Sequence, residues 1–450
     1  MASLENVDLP RQNSTNVKFA VIGAGWAGCA AAVELTRRGG QVTLLEAART
    51  AGGRARRVQH EGYHLDNGQH ILLGAYRDTL RLMQIVGITP SQALLRLPLQ
   101  MRYPAGSDGM EFIAGRLPAP LHLLYALLTS RGLSVADKLS LARFSSAARW
   151  MKWQLDVDCS VTELLERFEQ TERLIQLMWR PLCISALNTP PERASAKVFL
   201  KTLGDSLGAA RSASDMLLPT RDLSALFPDA AINYIEKRGG KAHLGVHVRA
   251  LNQQTYQWQI TDDDFDECFD KVIVATPAYA AQTLLAPLNT ALSDALNFTY
   301  EPITTCYLKY HSSVRLAAPF FALRDHAESA QWGQFVFDRG QLDTAQAGLL
   351  AVVISASTNA SALGQAALAQ AVAHQLAKVF QRKELASPEW AWIITEKRAT
   401  FACEPNLRRP PNETALNNLW LAGDYTEGDY PATIEGAVRS GLQAASLALQ

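Results

Sequence analysis

The sequence predicts an α/β protein in which a parallel sheet is assembled from separate segments of the chain, with an α+β domain inserted between them. Near the N-terminus, an apolar run at 18–22 leads into a glycine-rich turn and then a helical pattern. Near the C-terminus, a second apolar run at 418–422 leads into a Gly-Asp turn and another helical pattern. Strands followed directly by helices favour a parallel sheet. Because these two units lie at opposite ends of the chain, the sheet must be discontinuous in sequence.

The composition excludes some partners. The 450 residues include 43 lysines and arginines and 43 aspartates and glutamates, so the formal net charge is zero. A nucleic-acid-binding protein would carry a basic excess or stripe, and we expect no nucleic-acid partner. Apolar residues (AVILMFWYC) make up 48% and charged residues 19%, where about 25% charged is usual. The chain can form a large core and still line an apolar binding pocket.

No metal site is expected. The six cysteines contain no CxxC pair, which excludes the common cysteine-based metal and redox motifs. His60, His64 and His70 lie close in sequence, but they are spaced four and six residues apart across a glycine turn, without a cysteine nearby. Reduced cysteines are typical of a cytoplasmic protein.

The N-terminal 16 residues are polar and mixed in charge, and they lack the basic start and apolar run of a signal peptide. We predict a disordered leader at 1–16 and a cytoplasmic protein. Leu117–Leu128 is strongly apolar, but it is too short to span a bilayer and contains two prolines and a histidine.

The first strand and its turn carry a phosphate-binding motif. The run 18–22, KFAVI, is typical of a buried parallel strand. It leads into GAGWAG at 23–28, which is GxGxxG. Gly23 allows the tight turn, Gly25 lets a pyrophosphate approach the backbone, and Gly28 lets the helix pack on the strand. The helix N-terminus then offers free N–H groups and a partial positive charge to phosphates.

A second strand, 41–45, ends in Glu46, 18 residues after Gly28. A carboxylate at this spacing can accept hydrogen bonds from a ribose diol. Strand, turn, helix, strand and acid therefore stand in the order of a Rossmann-type dinucleotide-binding unit.

The residues after Glu46 distinguish FAD from NAD. The stretch 46–54, EAARTAGGR, resembles the E-x2-R-x2-GG-R extension of FAD-binding amine oxidases and carotenoid-type desaturases. The resemblance implies a glutathione-reductase-type FAD domain with non-covalent FAD. It also implies that the paired glycines, including Gly53, and the arginines, including Arg54, wrap the flavin pyrophosphate.

Further segments resemble the same superfamily. After a Gly-Gly pair at 239–240, an alternating pattern predicts a strand around Val246 and Val248, and the resemblance implies that Val248 lies against the adenine. Residues 270–277, DKVIVATP, resemble the strand that returns to the nucleotide domain. At the C-terminus, the resemblance places Asp424, after Gly423, on the ribityl–phosphate stem.

The start of the last helix is expected beside the flavin ring. The resemblance places it at the pyrimidine edge, where a helix N-terminus stabilises the negative charge that develops on reduction. The full set of predicted FAD-binding residues is Gly23, Gly25, Trp26, Ala27, Gly28, Glu46, Gly53, Arg54, Val248, Gly423, Asp424, Thr433, Ile434 and Glu435.

The domain boundaries follow from these segments. We assign 17–80, 205–285 and 395–450 to the FAD-binding domain, and 81–204 and 286–394 to the substrate-binding domain. The first insert has apolar residues at helical spacing around 137–153 and 162–182. The second has strand-like runs at 304–310 and 348–355, then a helical pattern at 366–380.

A narrower resemblance suggests the reaction. LDNGQHILLGAY at 65–76, WRPLC at 179–183, LNTPP at 187–191 and PATIEGAVRSG at 431–441 are similar to the hydroxysqualene dehydroxylases of hopanoid-producing bacteria. This implies reduction of hydroxysqualene, a C30 isoprenoid alcohol, to squalene by reduced FAD. It also implies a place in squalene and hopanoid biosynthesis beside other squalene-forming enzymes. The alternatives are a carotenoid-type polyene desaturase, a flavin amine oxidase or a non-catalytic FAD-bound scaffold.

The reaction requires an acid. An allylic hydroxyl leaves as water once it is protonated, and hydride can then reach the remaining cation. The resemblance places the segment with His64, Asp66 and His70 near the flavin, so these are the catalytic candidates. Histidine needs little adjustment of its pKa to donate near neutrality, which favours His70 or His64, with Asp66 orienting a histidine or the loop. The alternative is that Asp66 and Asn67 merely fix a turn.

A membrane contact is also predicted. Squalene-like molecules are nearly insoluble in water, so the mouth of their tunnel should open towards a bilayer. Leu117–Leu128, flanked by Arg116 and Arg131, is the candidate for a monotopic contact. The alternative is a buried helix of the substrate domain.

Overall fold

The computed structural model describes residues 17–450. The predicted leader at 1–16 lies outside the described residues. The strands are β1 (Lys18–Ile22), β2 (Gln41–Glu46), β3 (Arg57–His60), β4 (Tyr63–Asp66), β5 (Leu72–Leu73), β6 (Leu94–Leu97), β7 (Gln100–Arg102), β8 (Glu111–Ile113), β9 (Met216–Pro219), β10 (Lys241–Leu244), β11 (Ala250–Gln253), β12 (Trp258–Thr261), β13 (Asp266–Phe269), β14 (Lys271–Val274), β15 (Tyr300–Lys309), β16 (Phe320–Ala322), β17 (Phe335–Asp338), β18 (Leu349–Ser355), β19 (Trp390–Phe401) and β20 (Leu419–Leu421).

The α-helices are α1 (Trp26–Arg37), α2 (Arg77–Ile85), α3 (Pro90–Ala93), α4 (Leu121–Thr129), α5 (Val135–Trp150), α6 (Val161–Arg167), α7 (Glu172–Leu174), α8 (Arg180–Leu187), α9 (Ala196–Leu207), α10 (Leu223–Leu226), α11 (Pro228–Glu236), α12 (Ala278–Leu285), α13 (Thr290–Asp294), α14 (Thr358–Ser361), α15 (Gln365–Val379) and α16 (Ile434–Ala448). A π-helical segment, Ile175–Trp179, leads into α8.

The molecule has two structural parts. The first is built on a parallel sheet with the strand order β10-β2-β1-β14-β20. Its strands come from three distant parts of the chain, and every neighbouring pair is parallel. Phe19 in the central strand stands opposite Val42 on one side and Lys271 on the other. The discontinuous α/β fold predicted from the two ends of the chain is therefore confirmed.

Both faces of this sheet are covered. Helices α1, α11 and α16 contribute to an apolar cluster with residues such as Phe19 and Val21. The antiparallel sheet β11-β12-β13 and helix α12 contribute to a second cluster with residues such as Ala20 and Ile22. Because side chains alternate along a strand, β1 supplies both cores, which explains why its sequence is apolar throughout.

The second half is an α+β unit. Its sheet has the order β16-β17-β18-β15-β19, and all its pairings are antiparallel. On β15, Tyr307 packs in a cluster with α5, α8 and α9, whereas Cys306 and Leu308 pack in a cluster with α15. Helices thus cover both faces of the sheet. The predicted strand at 348–355 and helix at 366–380 are confirmed within one residue at each end. The predicted strand at 304–310 is also confirmed, but it begins four residues earlier, at Tyr300.

The helical pattern at 162–182 is divided. Helix α6 begins at a capping box formed by Ser160 and Glu163 and ends at Arg167. Thr171 then caps a new helical segment through its hydroxyl, which accepts a hydrogen bond from the Leu174 N–H at 3.3 Å. The apolar spacing predicted helical structure across 162–182 but did not indicate this second N-cap.

Three of the predicted domain divisions fall inside continuous elements. The divisions at 80/81, 204/205 and 394/395 lie within α2, α9 and β19. The predicted strand around Val246 and Val248 is wrong, because β10 ends at Leu244. Gly245 then takes a positive φ of 85°, and the Val246 N–H bonds to the carbonyl of Glu46. The segment runs along the end of β2 rather than continuing the sheet.

Within residues 17–450, no helix combines the length and the apolar character needed to cross a bilayer. The same residues contain no group of three histidine, cysteine or acidic side chains placed to hold a metal ion.

Candidate active site

A cavity of about 1250 Å³ lies where the parallel sheet meets the α+β half. A pocket for one drug-sized ligand is usually roughly 300–1,000 Å³, so this cavity has room for more than one molecule. Its polar end is formed by the turns that follow β1, β2, β14 and β20. Ligands of open α/β sheets bind at these carboxyl ends of the strands.

The turn after β1 has the geometry predicted for it. Gly23 has a φ of 105°, and a Cβ there would lie 2.7 Å from the carbonyl oxygen of Ala275. A Cβ on Gly28 would lie 1.8 Å from the carbonyl oxygen of Gly23. The turn and the close approach of helix to strand therefore both require glycine.

Gly25 faces open space. It is the N-cap of α1, and among the described atoms the nearest to a Cβ built on it is the Cα of Gly53 at 3.9 Å. In the described chain, no side chain caps the N-terminus of α1 and no acidic residue lies in its first turn. The first N–H groups of α1 are thus left for a ligand, and Trp26 and Ala27 beside them line the cavity. This cradle fits a pyrophosphate.

The second glycine pair completes the cradle. The N–H of Gly52 donates to the carbonyl of Ala24 at 2.8 Å, and Gly52 forms an isolated parallel bridge with Gly25. Gly53 has a φ of 62°, and a Cβ on it would lie 3.2 Å from the Cα of Gly25. The two glycine motifs therefore form one continuous wall of backbone.

Glu46 lines the cavity, and its carboxylate is already engaged. One oxygen accepts the N–H of Ala24 at 2.6 Å and the other accepts the N–H of Ala48 at 2.9 Å. A carboxylate oxygen can accept a further bond, so a ribose contact remains open to it. Val248 also lines this end of the cavity.

An unpartnered hydroxyl lies in the same region. Among the described residues, the buried Oγ1 of Thr276 has no hydrogen-bond partner. It lines the cavity immediately after β14. A buried polar atom without a partner is unusual, and a polar ligand in the cradle would satisfy it.

Arg54 joins the two chain ends. Its Nη2 donates to Oδ1 of Asp424 at 2.5 Å, and its Nη1 donates to the carbonyl of Ala399 at 2.7 Å. Asp424 is buried, and it lines the cavity together with Gly423. Arg54 therefore fixes the Gly-Asp turn after β20.

The last helix points its N-terminus at the cavity. The Oγ1 of Thr433 accepts the N–H of Gly436 at 3.0 Å as its N-cap, and Thr433 and Ile434 line the cavity. The side chain of Glu435 does not match its predicted place beside the flavin ring. It is fully buried and accepts bonds from the N–H and the hydroxyl of Thr79 at 3.0 and 2.7 Å. Glu435 thus caps α2 instead.

The three catalytic candidates separate in space. His64 is a wrong candidate, because it is an exposed residue of β4 whose ring lies 3.4 Å from the Gln59 amide. Its neighbour Leu65 is buried, and alternation along the strand therefore turns His64 outward.

Asp66 is buried behind the cavity, with 2% of its surface exposed. Its Oδ1 accepts the N–H of Leu223, the first residue of α10, at 2.7 Å. Its backbone N–H and carbonyl both bond to the hydroxyl of Tyr307. Burial raises the pKa of Asp66 to about 7. The carboxyl group anchors the loop, which was the alternative to a catalytic role.

His70 does line the cavity. Its Nδ1 lies 3.0 Å from the carbonyl oxygen of Gly68. A carbonyl oxygen can only accept, so Nδ1 carries a proton and Nε2 of the neutral ring is left as an acceptor. Burial lowers the pKa of His70, which favours this neutral form.

Sequence reasoning missed Gln69 and the network that holds it. Nη1 of the buried Arg339 donates to the Gln69 side-chain oxygen at 3.1 Å. The Gln69 amide donates to the Tyr307 hydroxyl at 2.7 Å, which in turn donates to the carbonyl of Asp66 at 2.7 Å. No signal in the sequence links Gln69 to Tyr307 and Arg339, since these two residues lie more than 200 positions from it.

Glu396 was also missed, although the polar run EKR at 396–398 interrupts an otherwise apolar strand and is a usable signal. Its carboxylate lines the cavity and accepts a bond from the Asn67 amide at 3.3 Å. Glu396 therefore contacts the loop that carries His70.

The far end of the cavity is apolar. Its walls come from the helices of the α+β half and from one face of the antiparallel sheet. Its large apolar side chains include Leu99, Met101, Phe112, Leu121, Leu123, Leu124, Leu127, Leu141, Phe144, Trp153, Met178, Trp179, Leu182, Ile184, Leu187, Phe199, Leu203, Leu207, Met216, Ile303, Phe320, Phe335, Phe337 and Val353.

This arrangement joins a dinucleotide cradle to a long apolar chamber. A family profile described as flavin containing amine oxidoreductase matches residues 26–449. The chain belongs to this family. The protein is therefore a flavin-dependent oxidoreductase, and the residues of the cradle fit a flavin dinucleotide.

Named relatives narrow the comparison. The chain is 30% identical over 448 residues to a hydroxysqualene dehydroxylase of Rhodopseudomonas palustris, covering 95% of this chain and 97% of the relative. It is 28% identical over 441 residues to that of Zymomonas mobilis, covering 95% and 98%. It is also 24% identical over 484 residues to a zeta-carotene desaturase of Arabidopsis thaliana, covering 96% and 85%. The predicted resemblance to hydroxysqualene dehydroxylases is confirmed.

Solved structures agree on the fold. Cyclohexylamine oxidase from Brevibacterium oxydans matches with a TM-score of 0.69 at 17% identity, covering 96% of this chain and 99% of that chain. Putrescine oxidase bound to putrescine matches with a TM-score of 0.71 at 16% identity, covering 96% and 99%.

The glycine cradle gives a first prediction. Gly25→Val should fold but bind little flavin, because the new side chain enters the space of the pyrophosphate. Gly28→Val is the contrasting variant and should not fold, because its Cβ overlaps the Gly23 carbonyl. Flavin absorbance per protein and circular dichroism test both. A Gly25→Val protein with a full complement of flavin would contradict the assignment.

Asp66 gives a prediction about pH and stability. Its folded pKa of about 7 lies above its usual value of 3.8, so the folded state binds the proton more tightly than the unfolded state. The charged group therefore destabilises the fold increasingly as the pH rises from about 4 to 7. Asp66→Asn keeps the acceptor for Leu223 and removes this penalty. The difference in Tm between Asp66→Asn and the wild type should therefore shift in favour of the variant as the pH is raised from 5 to 8. A Tm difference that stays constant over this range would refute the explanation.

Proposed function

We propose that the protein reduces hydroxysqualene, a C30 allylic alcohol, to squalene, with FAD as its cofactor. The observation that carries this proposal is the single cavity, which joins a dinucleotide cradle to an apolar chamber walled by aromatic and aliphatic side chains. The named relatives support the substrate class.

FAD is supported by the extent of the polar wall. The cradle continues from the α1 N-terminus past Glu46 and Val248 at one end, and to the start of α16 at the other. The proposed contacts are Gly23, Gly25, Trp26, Ala27, Gly28, Glu46, Gly53, Arg54, Val248, Gly423, Asp424, Thr433 and Ile434. The N-terminus of α16 would face the flavin ring, and its positive dipole end would stabilise negative charge there.

The proposed reaction is a two-electron reduction of the alcohol. The alcohol and the reduced flavin, with its two hydrogens, give the hydrocarbon, water and oxidised flavin. When bound, the reduced flavin supplies the hydride. The protein must bind the apolar chain, exclude water and deliver a proton to the departing oxygen. The apolar chamber serves the first two needs, because it offers a cationic carbon few nucleophiles other than the flavin.

A polyene desaturase is the second candidate, and the similarity to a zeta-carotene desaturase favours it. That reaction would remove hydride from a similar apolar chain, so an apolar chamber suits both. The two functions differ in the direction of electron transfer: from reduced flavin to the alcohol in the first, and from the polyene to oxidised flavin in the second.

Product analysis tests the proposal. Anaerobic, dithionite-reduced holoprotein mixed with hydroxysqualene should return flavin absorbance and yield one squalene per flavin. The desaturase alternative instead predicts reduction of the oxidised flavin by a polyene. An amine that reduces the flavin would favour an amine oxidase, and no reaction with any of them would favour a scaffold.

We also propose that the cavity mouth contacts the inner face of the cytoplasmic membrane. Helix α4 buries His122 and Ala126, whereas Leu121 and Leu124 both line the cavity and remain exposed. The helix is therefore neither wholly a core helix nor wholly a surface helix. An insoluble substrate could pass along it from lipid to cavity without entering water, and product could pass to neighbouring squalene-forming enzymes in the same layer.

The exposed apolar face extends onto α5. Leu128 is 68% exposed, and Val135 and Leu139 of α5 are 74% and 61% exposed. The carbonyl of Leu128 accepts a bond from Lys138 at 3.0 Å, which places the two helices side by side. Exposed leucines beside a basic side chain are typical of an interfacial surface.

Charge substitution on this face tests the contact. Leu128→Glu/Leu139→Glu should fold, because both side chains are exposed, and should lose liposome binding by at least about tenfold, since each leucine burial contributes about 1.5–3 kcal/mol. Tyr256→Glu, an exposed residue of the β11–β12 turn, is the matched control and should bind as the wild type does. Equal binding of all three proteins would count against a membrane role for α4 and α5.

A further inference from the structure

The pairing of β15 with β19 contains an irregularity next to the cavity. Glu301 stands opposite Thr400, but Ile303 stands opposite Glu396. One residue of β15, Pro302, therefore faces three residues of β19, 397–399. Proline has no N–H to offer the ladder, and β19 bulges outward at this point. Bulges of this kind redirect side chains and are common beside active sites.

Two groups of β19, one on each side of the irregularity, reach the site. The carbonyl of Ala399 accepts the bond from Arg54, and the carboxylate of Glu396 lines the cavity. Glu396 also accepts the Asn67 amide, three residues before His70. The acid and the histidine therefore border the same part of the cavity.

Glu396 differs from the other carboxylates of the cavity wall. Among residues 17–450, that wall includes Glu46, Glu396 and Asp424. Two backbone N–H groups hold Glu46, and Arg54 holds Asp424 in an ion pair. Glu396 accepts the Asn67 amide at 3.3 Å and the backbone N–H of Arg398 at 3.4 Å, but it forms no ion pair with a Lys, Arg or His side chain of the described chain. It can hold a proton without breaking an ion pair.

His70 is poorly arranged to supply that proton. Its single N–H in the neutral ring is committed to the carbonyl of Gly68. The free Nε2 can accept a hydrogen bond but cannot donate one. The proposed reaction nevertheless needs a proton on the departing oxygen.

We propose that Glu396 donates this proton and that His70 orients the hydroxyl by accepting its hydrogen bond. This rests on the proposed reduction of hydroxysqualene. The carboxyl O–H bond breaks and a new O–H bond forms on the substrate oxygen. The C–O bond then breaks, its electron pair stays on the oxygen, and water departs. Hydride supplied by the reduced flavin adds to the cationic carbon. The Glu396 carboxylate regains a proton from the second hydrogen released by the flavin or from solvent.

Several charged groups surround Glu396. Arg54 and Asp424 form an ion pair with each other, His70 lies on the facing loop, and Lys397 and Arg398 belong to the bulge. If a protonated group of the protein supplies the proton, the reaction rate should fall as the pH rises. Removing the carboxyl group should remove this fall, whereas removing the histidine should not.

Single-turnover oxidation of the reduced flavin by hydroxysqualene, measured anaerobically from pH 5 to 9, provides the test. Glu396→Gln should retain flavin and slow the reaction by about 10²-fold or more, the usual contribution of a positioned acid, with no remaining fall at high pH. His70→Ala should slow it by about tenfold and keep the fall. Glu389→Gln, an exposed residue just before β19, is the charge-matched control and should match the wild type.

Infrared spectroscopy supplies a readout that does not depend on turnover. The oxidised holoprotein at low pH should show a protonated carboxyl band that is absent in Glu396→Gln. If Glu396→Gln keeps the wild-type rate and pH profile, or if it loses its flavin, the assignment is wrong while the proposed function stands. If the wild type itself does not react with hydroxysqualene, the proposed function and this assignment both fail.

Discussion

The ion pair of Arg54 with Asp424 is the contact on which the site depends. Arg54 follows the second glycine pair, Asp424 follows the last strand, and the carbonyl of Ala399 on β19 accepts a further bond from the same guanidinium. Removing a carboxylate from water is costly unless it is paired and hydrogen-bonded. Because Arg54 meets this need at the cavity wall, the N-terminal cradle, the C-terminal turn and the α+β half are held at one point.

The loop that carries His70 is held in a similar way from behind. The Asp66 carboxylate accepts a hydrogen bond from the first residue of α10. The hydroxyl of Tyr307, on the antiparallel sheet, donates to the backbone carbonyl of Asp66. Arg339, in the connection between β17 and β18, donates a hydrogen bond to the side chain of Gln69. Hydrogen bonds between buried groups are strengthened by the low local dielectric. The loop is thus positioned by groups that lie outside the cavity, and only His70, Gln69 and their neighbours reach its wall.

Local motifs were predictable because their geometry is set within a few residues. Gly23, Gly25 and Gly28 belong to one turn. The close contacts expected at Gly23 and Gly28 are present, and Gly25 faces the open cavity. The outward direction of His64 could also have been read from strand alternation with the buried Leu65. Glu435 could not, because its partner Thr79 lies more than 350 residues away.

The role of Glu396 depends on long-range pairing in the same way. Glu396 stands opposite Ile303, at the end of the regular pairing between β15 and β19, which are about 90 residues apart in the chain. The sequence contains both residues, but not the register that brings them together. A histidine was the expected acid because the ordinary pKa of a free histidine side chain lies near neutrality. The choice changes once the hydrogen bond of His70 to Gly68 is known.

The sign of the charge left behind also favours a carboxyl donor. A protonated histidine would become neutral on donation and leave an allylic cation without a counter-charge. A carboxylic acid becomes a carboxylate and leaves an ion pair, and opposite charges at about 4 Å attract by about 4 kcal/mol at an effective dielectric constant of about 20. The attraction exists only after proton transfer, so it acts on the transition state and not on the bound alcohol. An apolar chamber would strengthen this effect, because the walls proposed to bind the C30 chain would also keep water from screening the pair.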